Sequence, residues 1–313
     1  MATYLVTGVA GFIGAAVAKA LLEQGHKVVG VDNLTTGYTE NIPAGTDFYE
    51  AHCQDAGLYA NILPKLPYAA IFHIAGQSSG EISFDDPVYD LRTNAESTLH
   101  LLKFALAVGC QRFIYASTMS VYGVKPDVPV KEDSEPRPQS FYGVGKLASE
   151  HYLRLYEQYG IRSTALRLFN VYGPGQNMSN LRQGMVSIFM AMMLKDNKVH
   201  VKGSPDRYRD FVYIDDVVRA FLLCLEKPQS AGQVINIAAS GRKTVGELLE
   251  AMAALHTPKH GRPDIQFSGS TPGDLMGIAA DIALAEKILG YTPSVSFAEG
   301  LARMYEWADE VME

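Results

Sequence analysis

Short apolar runs alternate with longer stretches of helical periodicity through the first two-thirds of the chain. "TYLVTG" reads as a strand, and "FIGAAVAKALLEQG" follows as a helix closed by Gly25. "KVVGVD", "TDFYEAH", "YAAIFHIAG" and "RFIYAS" read as further strands, with "TNAESTLHLLKFALAVG" as a helix between the last two. "PQSFYGVGKLASEHYLRLYEQYG" predicts a helix that starts after Ser140 as N-cap and ends at Gly160. "RSTALRLFNVYG" is the next strand. Strand–helix alternation at this spacing predicts an α/β fold of parallel strands joined by right-handed crossovers.

Beyond residue 171 the alternation breaks, and Gly, Asn and Pro become frequent between 173 and 184. This shift predicts a second, smaller region. "DFVYIDDVVRAFLLCL" still reads as a strand running into a helix, so the two regions interleave. No internal repeat or low-complexity segment is present. At 313 residues the chain suits one large α/β domain with a smaller companion.

Composition narrows the function classes. Apolar content of 47% and charged content of 19% are those of an ordinary globular protein. A formal charge of −7 argues against a nucleic-acid or anionic-membrane surface, while leaving room for one anionic ligand in a locally basic pocket. Cys53, Cys110 and Cys224 are scattered, which suits buried thiols in a reducing compartment and not a disulfide framework or zinc site. "MATYLVTG" lacks the features of a signal peptide, and no run approaches the ~18 apolar residues of a membrane span. The expectation is a cytoplasmic protein that binds neither nucleic acid nor membrane.

The candidate chemistry begins in "TGVAGFIG", where Gly8, Gly11 and Gly14 fall between the first strand and first helix. Glycines there permit a tight turn and let a pyrophosphate lie on the backbone at the positive end of a helix. The spacing is G-x-x-G-x-x-G. "VVGVDN" then delivers Asp32 to the end of the second strand, where a carboxylate accepts from ribose hydroxyls and repels a 2′-phosphate. No Arg follows in "DNLTTG", so the expected cofactor is NAD, not NADP.

Tyr142 and Lys146 in "YGVGK" lie one helical turn apart and share a face. A phenol titrates at about 10, too high for a base at neutral pH. A nearby ammonium, together with an oxidised nicotinamide, is expected to lower that value. Gly143 and Gly145 weaken the helix by about 1 kcal/mol each relative to Ala, which suggests close approach by a ligand or a neighbouring strand.

Taken in order, "TGVAGFIG", "VDNLTTG", "HIAGQ", "ASTMSVYG", "YGVGK", "LRLFNVYGPG", "RDFVYIDDVV" and "GDLMGIAAD" resemble the extended short-chain dehydrogenase/reductase family, specifically its nucleotide-sugar epimerases and dehydratases. The resemblance runs nearly end to end. It implies a Rossmann-type doubly wound parallel sheet with a smaller α/β C-terminal substrate lobe. Residues 1–170 would form the NAD-binding domain, 210–240 would return to it, and 171–313 would mainly bind the nucleotide sugar.

By the same resemblance, Thr118 hydrogen-bonds the reacting sugar hydroxyl, Tyr142 is the base, and Lys146 lowers the phenol pKa and grips the nicotinamide ribose. The other hydroxyls nearby, Tyr115, Ser117, Ser120 and Tyr122, are expected as local or cofactor partners. Dehydratases of the family carry an Asp-Glu pair directly after the Thr; here Met119 and Ser120 stand there, which disfavours elimination and favours epimerisation. The matched motifs further imply cofactor contacts from Phe12, Ile13, Asn33, Thr35, Thr36, Gly37, Ile74, Ala75, Gly76, Gln77, Asn94, Ser117 and Phe169. His52, with Cys53, occupies the place where many relatives put an Asp against the adenine, so altered adenine contacts are expected.

For the substrate, the resemblance implies Ser79, Thr118, Asn170, Arg209 and Asp274, with Arg209 and Asn170 on the diphosphate. Arg207 is the weaker candidate, expected at the surface. Thr271 stands where relatives often show another arginine, so one diphosphate contact is expected to be missing or supplied elsewhere, for example by Arg182 or Arg262. Ile278 falls where family members vary the room for an N-acetyl group, and its size does not decide between sugars.

The expected reaction is NAD-dependent epimerisation of UDP-glucose and UDP-galactose at C4, by oxidation to a 4-keto intermediate and re-reduction from the opposite face. UDP-glucuronate and UDP-N-acetylhexosamine epimerases, or a reductase or decarboxylase of the same family, are the alternatives; a non-catalytic regulator conflicts with the retained Tyr142 and Lys146. A homodimer through helices near 95–108 and 147–159 is the family expectation.

Other features have simpler explanations. Asp215 and Asp216 open a helix and are expected to cap it, with no metal site. His73, on an apolar strand, is expected to bond its neighbours. "MAMML" at 190–194 is expected in core or dimer packing.

Overall fold

The structure, a computed structural model, describes residues 1–125, 129–269 and 276–312. Its first half runs β1 (Thr3–Thr7), α1 (Phe12–Glu23), β2 (Lys27–Asp32), β3 (Asp47–Glu50), β4 (Ala70–His73), α2 (Pro87–Leu91), α3 (Ser97–Ala107), β5 (Arg112–Thr118), α4 (Phe141–Tyr156) and β6 (Arg162–Leu168). The second half adds β7 (Asn170–Tyr172), α5 (Met185–Asp196), β8 (Lys198–Lys202), β9 (Tyr208–Arg209), β10 (Phe211–Tyr213), α6 (Ile214–Glu226), β11 (Gln233–Ile237), β12 (Lys243–Thr244), α7 (Val245–His260), β13 (Asp264–Ser268), α8 (Ala283–Leu289) and α9 (Phe297–Met312).

The apolar runs meet in a seven-stranded sheet of order β11-β6-β5-β4-β1-β2-β3, parallel throughout. Chain order reverses at β1, between β2 and β4, which opens a crevice at the strand ends there. Because side chains alternate across a strand, Tyr4, Val6 and Phe72 enter one core with Val17, Ala18 and Leu21 of α1 and Val217, Ala220 and Phe221 of α6. Leu5, Ile71 and Phe113 enter the other, with Leu101, Leu102 and Phe104 of α3 and Leu153 of α4. Helices therefore cover both faces, as in a doubly wound sheet, and each fully buried Leu or Phe contributes roughly 1.5–3 kcal/mol.

A third core lies outside the sheet. It joins Phe189, Met190 and Met193 of α5 to Val199, Phe211, Leu248, Met252, Leu301 and Met304. The methionines of 190–194 thus divide, two packing inside and Met192 only partly buried. Three short two-stranded sheets, β7 with β10, β8 with β13 and β9 with β12, frame this lobe among the described residues.

Two readings of the sequence need correction. "RSTALRLFNVYG" is not one strand: after β6 the chain turns at Phe169, whose N–H donates to Ile237 O at 3.0 Å, and Asn170–Tyr172 pairs with β10 outside the large sheet. That turn carries Asn170 away from the sheet toward the lobe. The Asp215–Asp216 pair does not cap α6. Asp216 instead accepts from Ser294 N–H, Ser294 Oγ, Val295 N–H and Arg219, tying the segment before α9 to α6.

Ser140 does cap α4, accepting from Gly143 N–H at 3.1 Å, and the chain turns left-handed at Gly160 (φ 90°). His73 is buried between Thr7 Oγ1 at 2.8 Å and Ser97 Oγ at 3.3 Å. All three cysteines are free and buried. Among the described residues no helix is long and apolar enough to cross a membrane, and no cluster of acidic, His or Cys side chains could hold a metal ion.

Candidate active site

At the reversal point the β1–α1 turn packs so tightly that only glycine fits. Gly8 has φ +76°, and a Cβ on it would stand 2.9 Å from Ala75 N. A Cβ on Gly14 would stand 2.0 Å from Gly8 O, so the start of α1 rests directly on the turn. Asp32, at the end of β2, accepts from Ala10 N–H at 3.0 Å and Leu34 N–H at 2.9 Å, which fixes the carboxylate at the rim.

These groups open on a cavity of about 310 Å³ lined by Gly8, Gly11, Phe12, Ile13, Gly14, Asp32, Asn33, Thr35, Thr36, Cys53, Ile74, Ala75, Gly76 and Gln77. Ala51, Gln54, Ser78, Ile82, Tyr89, Thr93 and Gln183 also line it, and among the described residues no lysine or arginine does. Glycines closing on a helix N-terminus, a fixed carboxylate and no cation for a 2′-phosphate together fit NAD.

Several expected cofactor contacts sit behind or beside this lining. Gly37 packs on Ala10, 2.6 Å from where its Cβ would be. His52 is exposed and bonds Asn33 Nδ2 at 3.1 Å. Phe169 is buried in the sheet core. The Ser117 hydroxyl donates to Glu150 Oε1 at 2.5 Å, within a buried network in which Arg167 Nη2 meets Glu150 Oε2 at 2.7 Å; its hydroxyl belongs to that ion pair and not to the cavity. Asn94 is buried with Oδ1 unpartnered among the described residues, next to Gly76.

Thr118 ends β5 and Tyr142 opens α4. Lys146, one turn on and 3% exposed, donates to Ala116 O at 3.0 Å and lies 4.8 Å above the Tyr115 ring and 5.9 Å from the centroid of Tyr142. The glycines of "YGVGK" mark close approach, as expected, but to backbone and side chains of the protein itself. A Cβ on Gly143 would meet Ser120 O at 2.7 Å, and one on Gly145 would meet Asn94 Cβ at 3.3 Å.

Burial pushes the Tyr142 phenol up to about 12; the Thr118 side chain pulls it partway back and Asp90 adds to the rise. Burial also pushes Lys146 down to about 8, with Asp90 opposing. The fall expected for the phenol needs the ammonium and an oxidised nicotinamide together. Within the protein's own groups, desolvation wins.

Beyond Thr118 lies a second cavity of about 410 Å³, apolar along Phe84, Met119, Leu181, Met185, Ile188, Phe189 and Met192 and basic along His200, Lys202, Arg207 and Arg209. Arg209 is a lining residue of this cavity. Arg207 is buried against the same wall, not at the surface; it donates to Ser204 O and Lys202 O. Arg182 is paired with Asp85 at 2.7 Å and with Glu81, itself a lining residue, at 3.6 Å; Arg262 is exposed, and neither arginine is in the lining. Ser79 lies between the cavities and donates to Arg182 O at 3.1 Å. Asn170 has a buried, unpartnered Oδ1 among the described residues. Ile278 is fully buried in the sheet core and does not line the cavity. Thr271 and Asp274 lie outside the described residues.

Known proteins place the chain. The profile of the NAD dependent epimerase/dehydratase family matches residues 4–238. The "UDP-glucose 4-epimerase" of Mycolicibacterium smegmatis is 35% identical over 311 residues, 97% of each chain. The crystal structure of a UDP-glucose 4-epimerase from Thermotoga maritima, with UDP-glucose, superposes with TM-score 0.93 at 37% identity, covering 99% of this chain and 100% of that one. A UDP-glucuronic acid 4-epimerase from Bacillus cereus, in complex with UDP-glucuronic acid and NAD, gives 0.89 at 30% identity, covering 99% of both. A glycine cradle at a sheet reversal, a buried tyrosine–lysine turn beside it and these likenesses together assign the chain to the NAD dependent epimerase/dehydratase family.

Proposed function

We propose that this protein interconverts UDP-glucose and UDP-galactose by inverting C4, with NAD as its cofactor. The observation that carries the reading is the place of Thr118, Tyr142 and Lys146. Met119, Ser120 and Ser140, their sequence neighbours, line the basic cavity, while Gly76, beside Lys146 Nζ, lines the glycine-bounded one.

NAD, when bound, supplies a two-electron acceptor that takes the C4 hydrogen and returns it. The chain's own residues do the rest. Tyr142 takes the proton of the 4-hydroxyl and later gives it back, Thr118 orients that hydroxyl, and the Lys146 ammonium stabilises the phenolate. Raised to about 12 by burial, the phenol needs added positive charge to act near neutrality, and Lys146 and an oxidised nicotinamide are the sources at hand. Met119 and Ser120 offer no carboxyl group to expel water from a keto sugar, so re-reduction is the open route.

Arg207 and Arg209 share one wall, and burial, with a smaller contribution from the Arg207 charge, pushes Arg209 down to about 10. A diphosphate suits this cationic wall, and Arg207 is our candidate for the contact that Thr271 does not supply. Residues 1–170 with 210–240 would hold the dinucleotide and 171–313 mainly the sugar nucleotide; β11 within the large sheet and the separate core of α5, α7 and α9 support that division. Free thiols suit a cytoplasmic location. Exposed Leu106, Leu155 and Tyr159 on and just after α3 and α4 suit a homodimer through those helices.

Purified protein supplied with UDP-galactose and no added reductant should form UDP-glucose, read by NMR. Tyr142→Phe should lower turnover by about 10²–10⁴-fold while leaving NAD bound. Full activity in that variant would refute the reading. A second substrate, UDP-glucuronate, is favoured by one observation: Lys202 adds a cationic group to the same cavity, suited to a sugar carboxylate. A higher kcat/KM for UDP-glucuronate than for UDP-glucose would select it.

A further inference from the structure

Behind the catalytic turn lies an acid that the proposed reaction does not use. Asp90 of α2 is 1% exposed. Its Oδ2 accepts from Gln77 Nε2 at 2.7 Å and Asn94 Nδ2 at 3.2 Å, and its Oδ1 has no partner among the described residues. That oxygen lies 3.5 Å from where a Cβ on Gly145 would stand, directly before Lys146 on α4. Asn94 carries the row onward: its own unpartnered Oδ1 and Lys146 Nζ both border the position of a Cβ on Gly76, at 2.4 and 3.5 Å. Carboxylate, amide and ammonium thus line one buried seam between α2, α4 and the loop after β4.

A buried carboxylate with a vacant lone pair is costly unless a charge answers it. The groups whose charge bears on Lys146 are few. Asp90 from α2 raises its pKa, while His73 from β4 is buried and neutral. Tyr115 from β5 and Tyr142 from α4 are neutral phenols, both raised by burial. Asp90 is the acid among them: burial raises its own pKa, while the hydrogen bonds from Gln77 and Asn94 and the Lys146 charge favour its ionised form.

We propose that Asp90 is a positioning residue for Lys146, a buried counter-charge that keeps the ammonium protonated across the pH range in which Tyr142 exchanges its proton. The assignment rests on the epimerase reading and adds a member to its machinery. Since burial has already brought Lys146 down to about 8, little margin separates the charged form from the neutral one at working pH.

The test is the pH profile of kcat for the holoenzyme and Asp90→Asn, with UDP-galactose as substrate. The asparagine keeps the size and one acceptor and removes the charge. The alkaline limb should move to lower pH by about one unit, the lower end of what a neighbouring opposite charge produces. KM near pH 6.5 should stay within about twofold, because the nucleotide-binding wall is untouched. Lys146→Arg carries a cation that does not titrate in this range, and Asp90→Asn laid on it should leave the limb in place.

A uniform drop at every pH, or a profile that coincides with the parent's while Tyr142→Phe is inactive, overturns the assignment alone. Full activity in Tyr142→Phe overturns the underlying reaction as well. Should Asp90→Asn fail to fold, Asp90→Ser and the charge-keeping Asp90→Glu carry the same comparison: the limb moves in the first and stays in the second, or the proposal fails.

Discussion

An epimerase of this kind returns to the sugar what it took, so it gains from holding its cofactor through many turnovers, and one segment spans the cofactor cavity in a way that would hold it. Asn177 Nδ2 donates to Thr36 O at 3.0 Å on one rim, and Tyr38 Oη from the same rim donates to Asn177 Oδ1 at 3.0 Å. On the opposite rim Gln183 Nε2 donates to Ser78 Oγ at 2.5 Å and Ser79 Oγ donates to Arg182 O at 3.1 Å. Residues 177–183 therefore strap the cavity from Thr36 to Ser78.

Asn177→Ala removes two of the three bonds on the Thr36 side and leaves Tyr38 to Ser179. Hydrogen bonds contribute about 0.5–1.5 kcal/mol each, and exposed ones fall toward the low end. The strap should open more readily by about 1–2 kcal/mol, which speeds cofactor release by roughly 5- to 30-fold. Tyr38→Phe, which also loses two bonds, to Asn177 and Ser179, and keeps Asn177 to Thr36, should speed release by a similar factor. Exchange of bound NAD against isotopically labelled NAD, followed by mass spectrometry after rapid desalting, reads the rate. Exchange in Asn177→Ala within about twofold of the parent would refute the strap.

Other consequences are independent of it. Arg209→Ala removes a charge-assisted contact of about 1.5–3 kcal/mol, so the inhibition constant for free UDP should rise roughly 10- to 150-fold, and Arg207→Ala should raise it less; UDP inhibition unchanged in both would remove the diphosphate from this wall. Burial, and behind it the Lys146 charge, pushes His73 down to about 3. With the folded value below the unfolded one of about 6.5, only the unfolded chain takes up this proton as pH falls, and stability is lost between those values at about 1.4 kcal/mol per unit. Urea unfolding at pH 7 and pH 5 should show about 2 kcal/mol of acid loss from this group that His73→Gln lacks; equal losses in both proteins would contradict it.

Much of the cradle was legible because it depends on backbone. Gly8, Gly14 and Asp32 are needed wherever a turn, a helix start and a strand end meet a dinucleotide, and local spacing carries that information. The catalytic turn was legible for a similar reason, since Tyr142 and Lys146 share one helix. What local pattern could not convey was long-range burial. Arg207 looked like a surface residue because its surroundings come from β8 and the 204–205 loop folding over it. Nothing near Ser117 in sequence announces that its hydroxyl bonds Glu150, 33 positions away. Asp90 carried no motif, and its meaning appears only when α2 is set against α4. The break at Phe169 was hidden for the opposite reason: "LRLFNVY" is uniformly strand-like, and competition between two sheets decides where it divides.

The central claim is that hydrogen leaves C4 with its electrons, stays inside the protein and comes back to the other face, while Tyr142 handles only the hydroxyl proton. UDP-galactose deuterated at C4 and incubated with the purified protein in ordinary water separates this from removal of C4 hydrogen as a proton. The account predicts UDP-glucose that keeps its deuterium at C4. Product carrying solvent hydrogen there would contradict it.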